Sequence, residues 1–200
     1  MIENSPLKEK LKDYRLILGS GSPRRKRFLE EMGLDFEVRT KSVEEIYPEQ
    51  LQGGEIASYL AKLKANPFQK ELQVNEIVLT SDTVVWHKGK SLAKAEDKAD
   101  ALYMLQTLSN DWHEVITAVC FTTQAMQKTV TETTLVQFKK LTTKEIRYYI
   151  HNYKPFDKAG AYGIQEWIGL IGVSKIKGSY NNVVGLPTHL VYKTLTSMVS

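Results

Sequence analysis

The run Leu16-Ile-Leu-Gly-Ser-Gly-Ser-Pro-Arg-Arg25, continuing as Lys26-Arg-Phe-Leu-Glu-Glu-Met32, leaves few folds open to this chain. It reads as a short apolar strand, a Gly/Ser turn and an amphipathic helix. Ser22 is a good N-cap, and Pro23 suits the first helical turn, where a missing N–H has no consequence. Phe28, Leu29 and Met32 share one helical face. Gly33 stops the helix. Asp35-Phe-Glu-Val-Arg39 then alternates as a second strand, so the β–α–β order predicts a parallel pair with a right-handed crossover. The helix begins at the carboxyl end of a strand, with free N–H groups pointing out of the turn. Phosphate is the commonest guest of such a site. Arg24 and Arg25 oppose the helix dipole and are mildly destabilising until an anion meets them. On this segment alone, a capped helix with a solvated basic face fits equally well.

The rest of the chain supplies polar residues where strands and glycine turns would carry them. Residues 1–13 read as a loosely held leader with a short helix. Thr40 to Gly53 is a polar loop carrying Glu44, Glu45 and Glu49. A helix follows from about Glu55 to Phe68, with Ile56, Leu60 and Leu63 inward; Lys62 and Lys64 on it point to different sides. Ile77-Val-Leu-Thr-Ser-Asp-Thr-Val-Val-Trp86 is apolar enough for a central strand buried on both faces. Asp82 interrupts it. An unpaired buried carboxylate is costly, so Asp82 is either an edge residue satisfied by backbone or a functional group at a strand end facing a cleft. Its neighbours give it no structural task, which favours function. Beyond it, Lys94 precedes a helix from about Ala95 to Leu108, and His113–Phe121 and Thr129–Phe138 form a meander. Thr142 and Glu145 make a capping box for a helix to Asn152. Asp157-Lys-Ala-Gly-Ala-Tyr-Gly-Ile-Gln165 is glycine-interrupted, as where backbone approaches a ligand. Ile168–Ile176 is β-like, Gly178–Pro187 a loop, and Thr188–Met198 a closing helix.

Composition narrows the function classes. The 27 basic residues are scattered and the net charge is only +4, too little for a dedicated duplex-DNA binder. No stable nucleic-acid partner is therefore expected. One cysteine, Cys120, builds neither a disulfide framework nor a zinc site. No segment has the apolar length of a membrane span, and the N-terminus lacks a signal-peptide core. The expectation is one cytoplasmic domain over residues 1–200 with no membrane partner. No Walker-type loop or dinucleotide fingerprint is present, which disfavours an ATPase or a dehydrogenase. Basic and acidic groups gathered in one cleft instead suit a phosphate substrate bridged by Mg²⁺ or Mn²⁺, held by one or two carboxylates.

Taken in order, Ser20-Gly-Ser-Pro-Arg-Arg25, Ser81-Asp-Thr-Val-Val85, Leu92-Ala-Lys94, His113-Glu-Val-Ile-Thr117, Asp157–Gln165 and Gly185-Leu-Pro187 closely resemble the Maf family of nucleoside triphosphate pyrophosphatases. The likeness runs from about Leu16 to Leu195. Two positions depart from the family's usual pattern: Ala95 stands where Pro is usual, and Asn110 where Gly is usual. The resemblance implies an elongated α/β fold, a mixed sheet flanked by helices in two lobes around a central cleft, similar to inosine triphosphatases. It also implies a divalent metal, frequent homodimerisation, and hydrolysis of a nucleoside triphosphate to monophosphate and pyrophosphate.

Position by position, the resemblance makes Asp82 the proton acceptor, Glu44 an essential acidic residue, and Lys64 and Lys94 phosphate-side lysines. Ser20, Ser22, Arg24 and Arg25 would hold the triphosphate with them. Arg24, Thr83 and Gln165 match the trio of the branch acting on dTTP and UTP, normal or modified. Glu44, with Asp82, would hold the metal. Base and ligand are both open readings of Asp82. An ordinary Asp is a poor base toward bulk water and becomes competent only if a metal acidifies that water. Tyr162 and Trp167 fit either the base pocket or the core, and His113 reads as structural. The rival class is a non-catalytic nucleotide- or DNA-binding regulator of cell division, which would not need Asp82 as a base.

Overall fold

A computed structural model describes residues 5–199, so the first four residues of the expected leader and the last residue of the chain lie outside it. In chain order the elements are α1 (Pro6–Lys10), β1 (Arg15–Leu18), α2 (Pro23–Glu31), β2 (Glu37–Val38), α3 (Gly54–Ala65), β3 (Glu76–His87), β4 (Lys90–Leu92) and α4 (Lys98–Leu108). There follow β5 (Trp112–Thr122), β6 (Gln127–Phe138), α5 (Thr143–Tyr153), α6 (Trp167–Gly172), β7 (Val173–Lys177), α7 (Tyr180–Val184) and α8 (Thr188–Met198). They build one mixed sheet in the order β2-β1-β3-β5-β6-β7, with β4 hairpinned onto β3. The β1–α2–β2 unit is parallel, as its order predicts. The half beyond β3 is an antiparallel meander.

The pairing of β3 creates the cleft. On one flank β3 is matched by β5 from Val78 to Trp86. On the other, β1 stops at Leu18 opposite Leu79, and β4 reaches back only as far as Leu92 opposite Val85. Residues 80–84 thus have no strand beside them on that flank. An unpaired stretch inside a central strand leaves its backbone and both rows of alternating side chains open to whatever fills the gap. Asp82 lies there, in the middle of β3 rather than at a strand end. It is nonetheless just past the carboxyl end of β1.

Apolar packing brackets this gap. β1, the start of β3, the end of β5, α1 and α8 close one cluster around Leu18, Leu79 and Phe121. α3 lays Ile56, Leu60 and Ala61 over Val84, Ile116 and Ala118. α4, α5 and α6 close another around Leu105, Phe138 and Ile150. The long strands β3 and β5 run through all three.

Several boundaries differ from the sequence expectation, for physical reasons. α1 is docked rather than loose: Leu7 and Leu11 are buried, and Ser5 caps the helix ahead of Pro6. Five residues carry too little periodicity to show docking that tertiary contacts supply. Helix α3 ends at Ala65, before Pro67, and continues as one 3₁₀ turn. Helix α4 starts at Lys98 because Asp97 caps it, its carboxylate accepting from the N–H groups of Ala99 and Asp100 at 2.8 Å each. The run from Ile168 divides into helix α6 and strand β7, since a short apolar stretch suits either conformation. The expected loop 178–187 contains α7, capped by Ser179. Asn110 takes φ 61°, a left-handed conformation that Asn tolerates better than other non-glycine residues. That explains how it stands where Gly is usual.

Candidate active site

A cleft of about 740 Å³ opens at the unpaired flank of β3, a size that suits a small organic ligand. Its walls come from the β1–α2 turn, the 40–47 loop, α3, the segment around Lys94, the Asp157–Gln165 strap and the end of α7. Two close approaches shape it. A Cβ on Gly19 would sit 2.7 Å from Thr80 Cγ2, so only glycine lets the turn lie against β3. Gly160 has φ +66° and its missing Cβ would meet Val85 at 3.0 Å, which brings the strap down onto β3.

Asp82 is almost fully buried. The Lys64 ammonium donates to its Oδ1 at 2.6 Å and reaches Glu45 Oε1 at 3.1 Å. Two carboxylates thus converge on one cation. Among the described residues no three or more His, Cys, Asp or Glu gather as a metal cage. A pair of carboxylates facing an open cleft is nevertheless a donor set that fits Mg²⁺ or Mn²⁺, whose remaining positions water and phosphate oxygens fill.

The α2 turn forms the anion side. Ser22 caps α2, accepting from the Arg25 N–H, and donates its own N–H to Ser20 Oγ at 3.3 Å. Arg25 is fixed by three acceptors: Gly185 O at 3.0 Å, Ser20 Oγ at 3.1 Å and Thr83 Oγ1 at 3.2 Å. Burial lowers its pKa; Asp82 opposes this, Arg24 adds to it and Glu45 opposes it. A guanidinium stays charged at neutral pH regardless. Arg24 reaches across the cleft to Asp157 Oδ2 at 3.2 Å. Lys94 is exposed on the cleft wall and makes no ion pair among the described residues. Gln165 also lines the cleft, exposed, with no hydrogen bond to its amide among the described residues. Thr83 lies beside Asp82 on the opposite face of the sheet, and the gap in pairing lets one cleft reach both.

The sequence-derived residues Ser20, Ser22, Arg24, Arg25, Lys64, Asp82, Thr83, Lys94 and Gln165 all line this one cleft. Glu44 does not: it is exposed away from it, and its neighbour Glu45 faces Lys64. The loop has no periodicity from which to tell the two apart. Lys158 is a cleft residue that sequence reasoning did not single out. It is nearly buried, pairs with Asp157 at 2.6 Å and Glu166 at 3.1 Å, and offered no signal beyond its place in the glycine-interrupted strap. Tyr162 lines the cleft floor, whereas Trp167 packs against Tyr148 outside it.

His113 sits behind the cleft. Its Nε2 meets the Tyr162 hydroxyl at 2.7 Å, and Phe138 packs edge-on. Burial, with His87 adding, pushes its pKa down from 6.5 to about 3, against a weaker pull from Asp111. The unfolded chain therefore binds one more proton than the folded one between those values. Stability is full above pH 6.5 and falls as pH drops, with a slope of up to about 1.4 kcal/mol per pH unit. Urea unfolding of His113→Gln between pH 6.5 and 4.5 should show that slope flattened. An unchanged slope would place the acid sensitivity elsewhere.

Comparison with known proteins agrees with this geometry. The Maf-like protein family matches residues 15–198. A dTTP/UTP pyrophosphatase of Flavobacterium johnsoniae is 56% identical over 193 residues, spanning 96% of this chain and 100% of that one. One from Bacteroides fragilis is 46% identical over 186 residues, spanning 92% and 96%. Among solved structures, the Staphylococcus aureus Ham1 protein superposes with a TM-score of 0.52 at 16% identity, covering 92% of this chain and 99% of that one. This last likeness is one of fold.

Proposed function

The chain belongs to the Maf family, and from that premise we propose that its cleft hydrolyses nucleoside triphosphates between the α- and β-phosphates, with dTTP and UTP preferred. The observation that carries the reading is the meeting of Asp82, Lys64 and the α2 N-terminus at one gap in the sheet. Phosphoryl transfer needs positioning and charge neutralisation more than covalent chemistry, and these groups supply both. The α2 N–H groups, Arg25 and Lys94 take the phosphate oxygens. Lys64, offered a phosphate, exchanges Asp82 for it, and the freed carboxylate orients and deprotonates the water that attacks the α-phosphorus in line. Glu45, rather than Glu44, would hold a divalent cation with Asp82, since both carboxylates meet at Lys64; that cation would neutralise phosphate charge and acidify water.

The base end lies toward Gln165, whose amide carries both a donor and an acceptor. Arg24, bridged to Asp157, ties that end to the phosphate end. Residues 1–200 act as one domain, which the strands shared by all three apolar clusters support. Its nucleotide substrate points the enzyme to the cytoplasm; no helix among the described residues is long and apolar enough to cross a membrane. Exposed Tyr148 on α5 and Leu170 on α6 support a homodimer face. In a pyrophosphate-release assay, dTTP and UTP should be turned over with Mg²⁺ or Mn²⁺ and activity should vanish with chelator. A protein that binds nucleotide without releasing pyrophosphate would instead favour the non-catalytic regulator.

A further inference from the structure

We infer that the buried hydroxyl of Thr117 makes Thr83 an acceptor-only contact in the cleft, and that this polarity helps select uracil and thymine against cytosine. The inference rests on the pyrimidine preference proposed above and assigns part of it to a residue outside the cleft wall.

Thr117 lies directly opposite Thr83 on β5 and is fully buried. Its hydroxyl is 3.0 Å from the main-chain carbonyl of Asn182 and 3.0 Å from Thr83 Oγ1. A carbonyl only accepts, so the single proton of Thr117 goes to Asn182. The Thr117–Thr83 contact then needs a proton, and only Thr83 has one left. Thr83 must therefore donate to Thr117. Its oxygen meanwhile accepts from Arg25 at 3.2 Å. The opposite polarity, with Thr117 donating to Thr83, satisfies one hydroxyl proton inside the protein instead of two. It also turns the Thr83 proton toward the cleft. A satisfied buried network is the favoured state.

The end of the wire is held rigidly. Asn182 is fully buried, and its amide donates to Val115 O at 3.0 Å and Thr134 Oγ1 at 2.9 Å, pinning α7 across β5 and β6. The next turn brings Gly185 O to Arg25. The acceptor of the Thr117 proton thus cannot drift.

A hydroxyl has one donor and two acceptor sites. With its proton given to Thr117 and one lone pair to Arg25, half-buried Thr83 offers the cleft one remaining lone pair. That lone pair suits a ring N–H. Uracil and thymine present N3–H on their pairing edge, while cytosine presents an N3 lone pair. Thr83 then takes the ring N–H and leaves Gln165 to donate to a ring carbonyl. Thr117 is a positioning residue in this scheme, since it acts only through Thr83.

The test is kcat/KM for UTP and CTP on wild type, Thr117→Val and Thr117→Ser, with pyrophosphate as the readout. Thr117→Val is close in shape but cannot accept, so the Thr83 proton is released to the cleft. The UTP-to-CTP ratio should fall about tenfold, chiefly through a gain with CTP. Thr117→Ser keeps the hydroxyl and should keep the ratio. If Thr117→Val does not fold, Thr117→Ala removes the same acceptor and carries the same expectation. An unchanged ratio in the hydroxyl-free variant, or a loss equal for both nucleotides, overturns the inference while leaving the pyrophosphatase reading intact. A wild type that releases no pyrophosphate from UTP overturns both.

Discussion

Asp82→Asn should reduce turnover of dTTP by about 10²–10⁴-fold, the usual loss when a general base is removed, while nucleotide binding and thermal stability stay close to wild type. The expectation follows from where Asp82 sits. It is nearly buried in a central strand, yet it lies in the stretch of β3 that has a strand on one flank only. Asn keeps the shape and can still accept from Lys64, and Lys64 retains Glu45 as an ionic partner. The fold therefore survives the change, and what is lost is the ionisable carboxylate, both as base and as one of the two groups that would hold the cation. Steady-state kinetics with pyrophosphate detection, alongside nucleotide binding by calorimetry, separates the two effects. Near-normal turnover would make Asp82 a structural partner of Lys64 and remove it from the chemistry.

The second large effect is on specificity. Gln165→Glu should lower kcat/KM for dTTP and UTP by about tenfold to a hundredfold and reorder the preference. Gln165 is exposed in the cleft with no internal partner among the described residues, so its amide is available to a base. An ionised Glu offers acceptors only. It loses the donor that meets a ring carbonyl of uracil or thymine, and it gains affinity for a donor-rich edge such as that of guanine. Each buried group left unpaired costs about 1–3 kcal/mol, and about 1.4 kcal/mol is a factor of ten. Rates for dTTP, UTP, CTP, dCTP and GTP on both proteins decide it. A wild type favouring GTP, or a variant with an unchanged order, would show that Gln165 does not read the base.

Much of this site is legible in the sequence because its signals are local. Ser22, Pro23 and the apolar face of Phe28 and Leu29 specify α2 without help from the rest of the chain, and β3 announces itself by composition. What sequence could not supply was relation in space. Nothing local says that β1 ends at Leu18 while β3 runs on to His87, and that mismatch is what opens the cleft beside Asp82 in mid-strand. The 40–53 loop has no period, so the choice between Glu44 and Glu45 became visible only against Lys64. Thr117 ends the His113–Thr117 motif, but nothing in that motif gives it a task; its role depends on lying opposite Thr83 and beneath Asn182. The α6–β7 boundary escaped for another reason: six apolar residues suit a helix or a strand until packing decides.

In this reaction water attacks the α-phosphorus, guided by Asp82. Hydrolysis of dTTP in ¹⁸O-enriched water, with both products weighed by mass spectrometry, tests it most directly. One labelled oxygen is expected in the nucleoside monophosphate and none in pyrophosphate. Label in pyrophosphate, or release of orthophosphate with a nucleoside diphosphate, would contradict it.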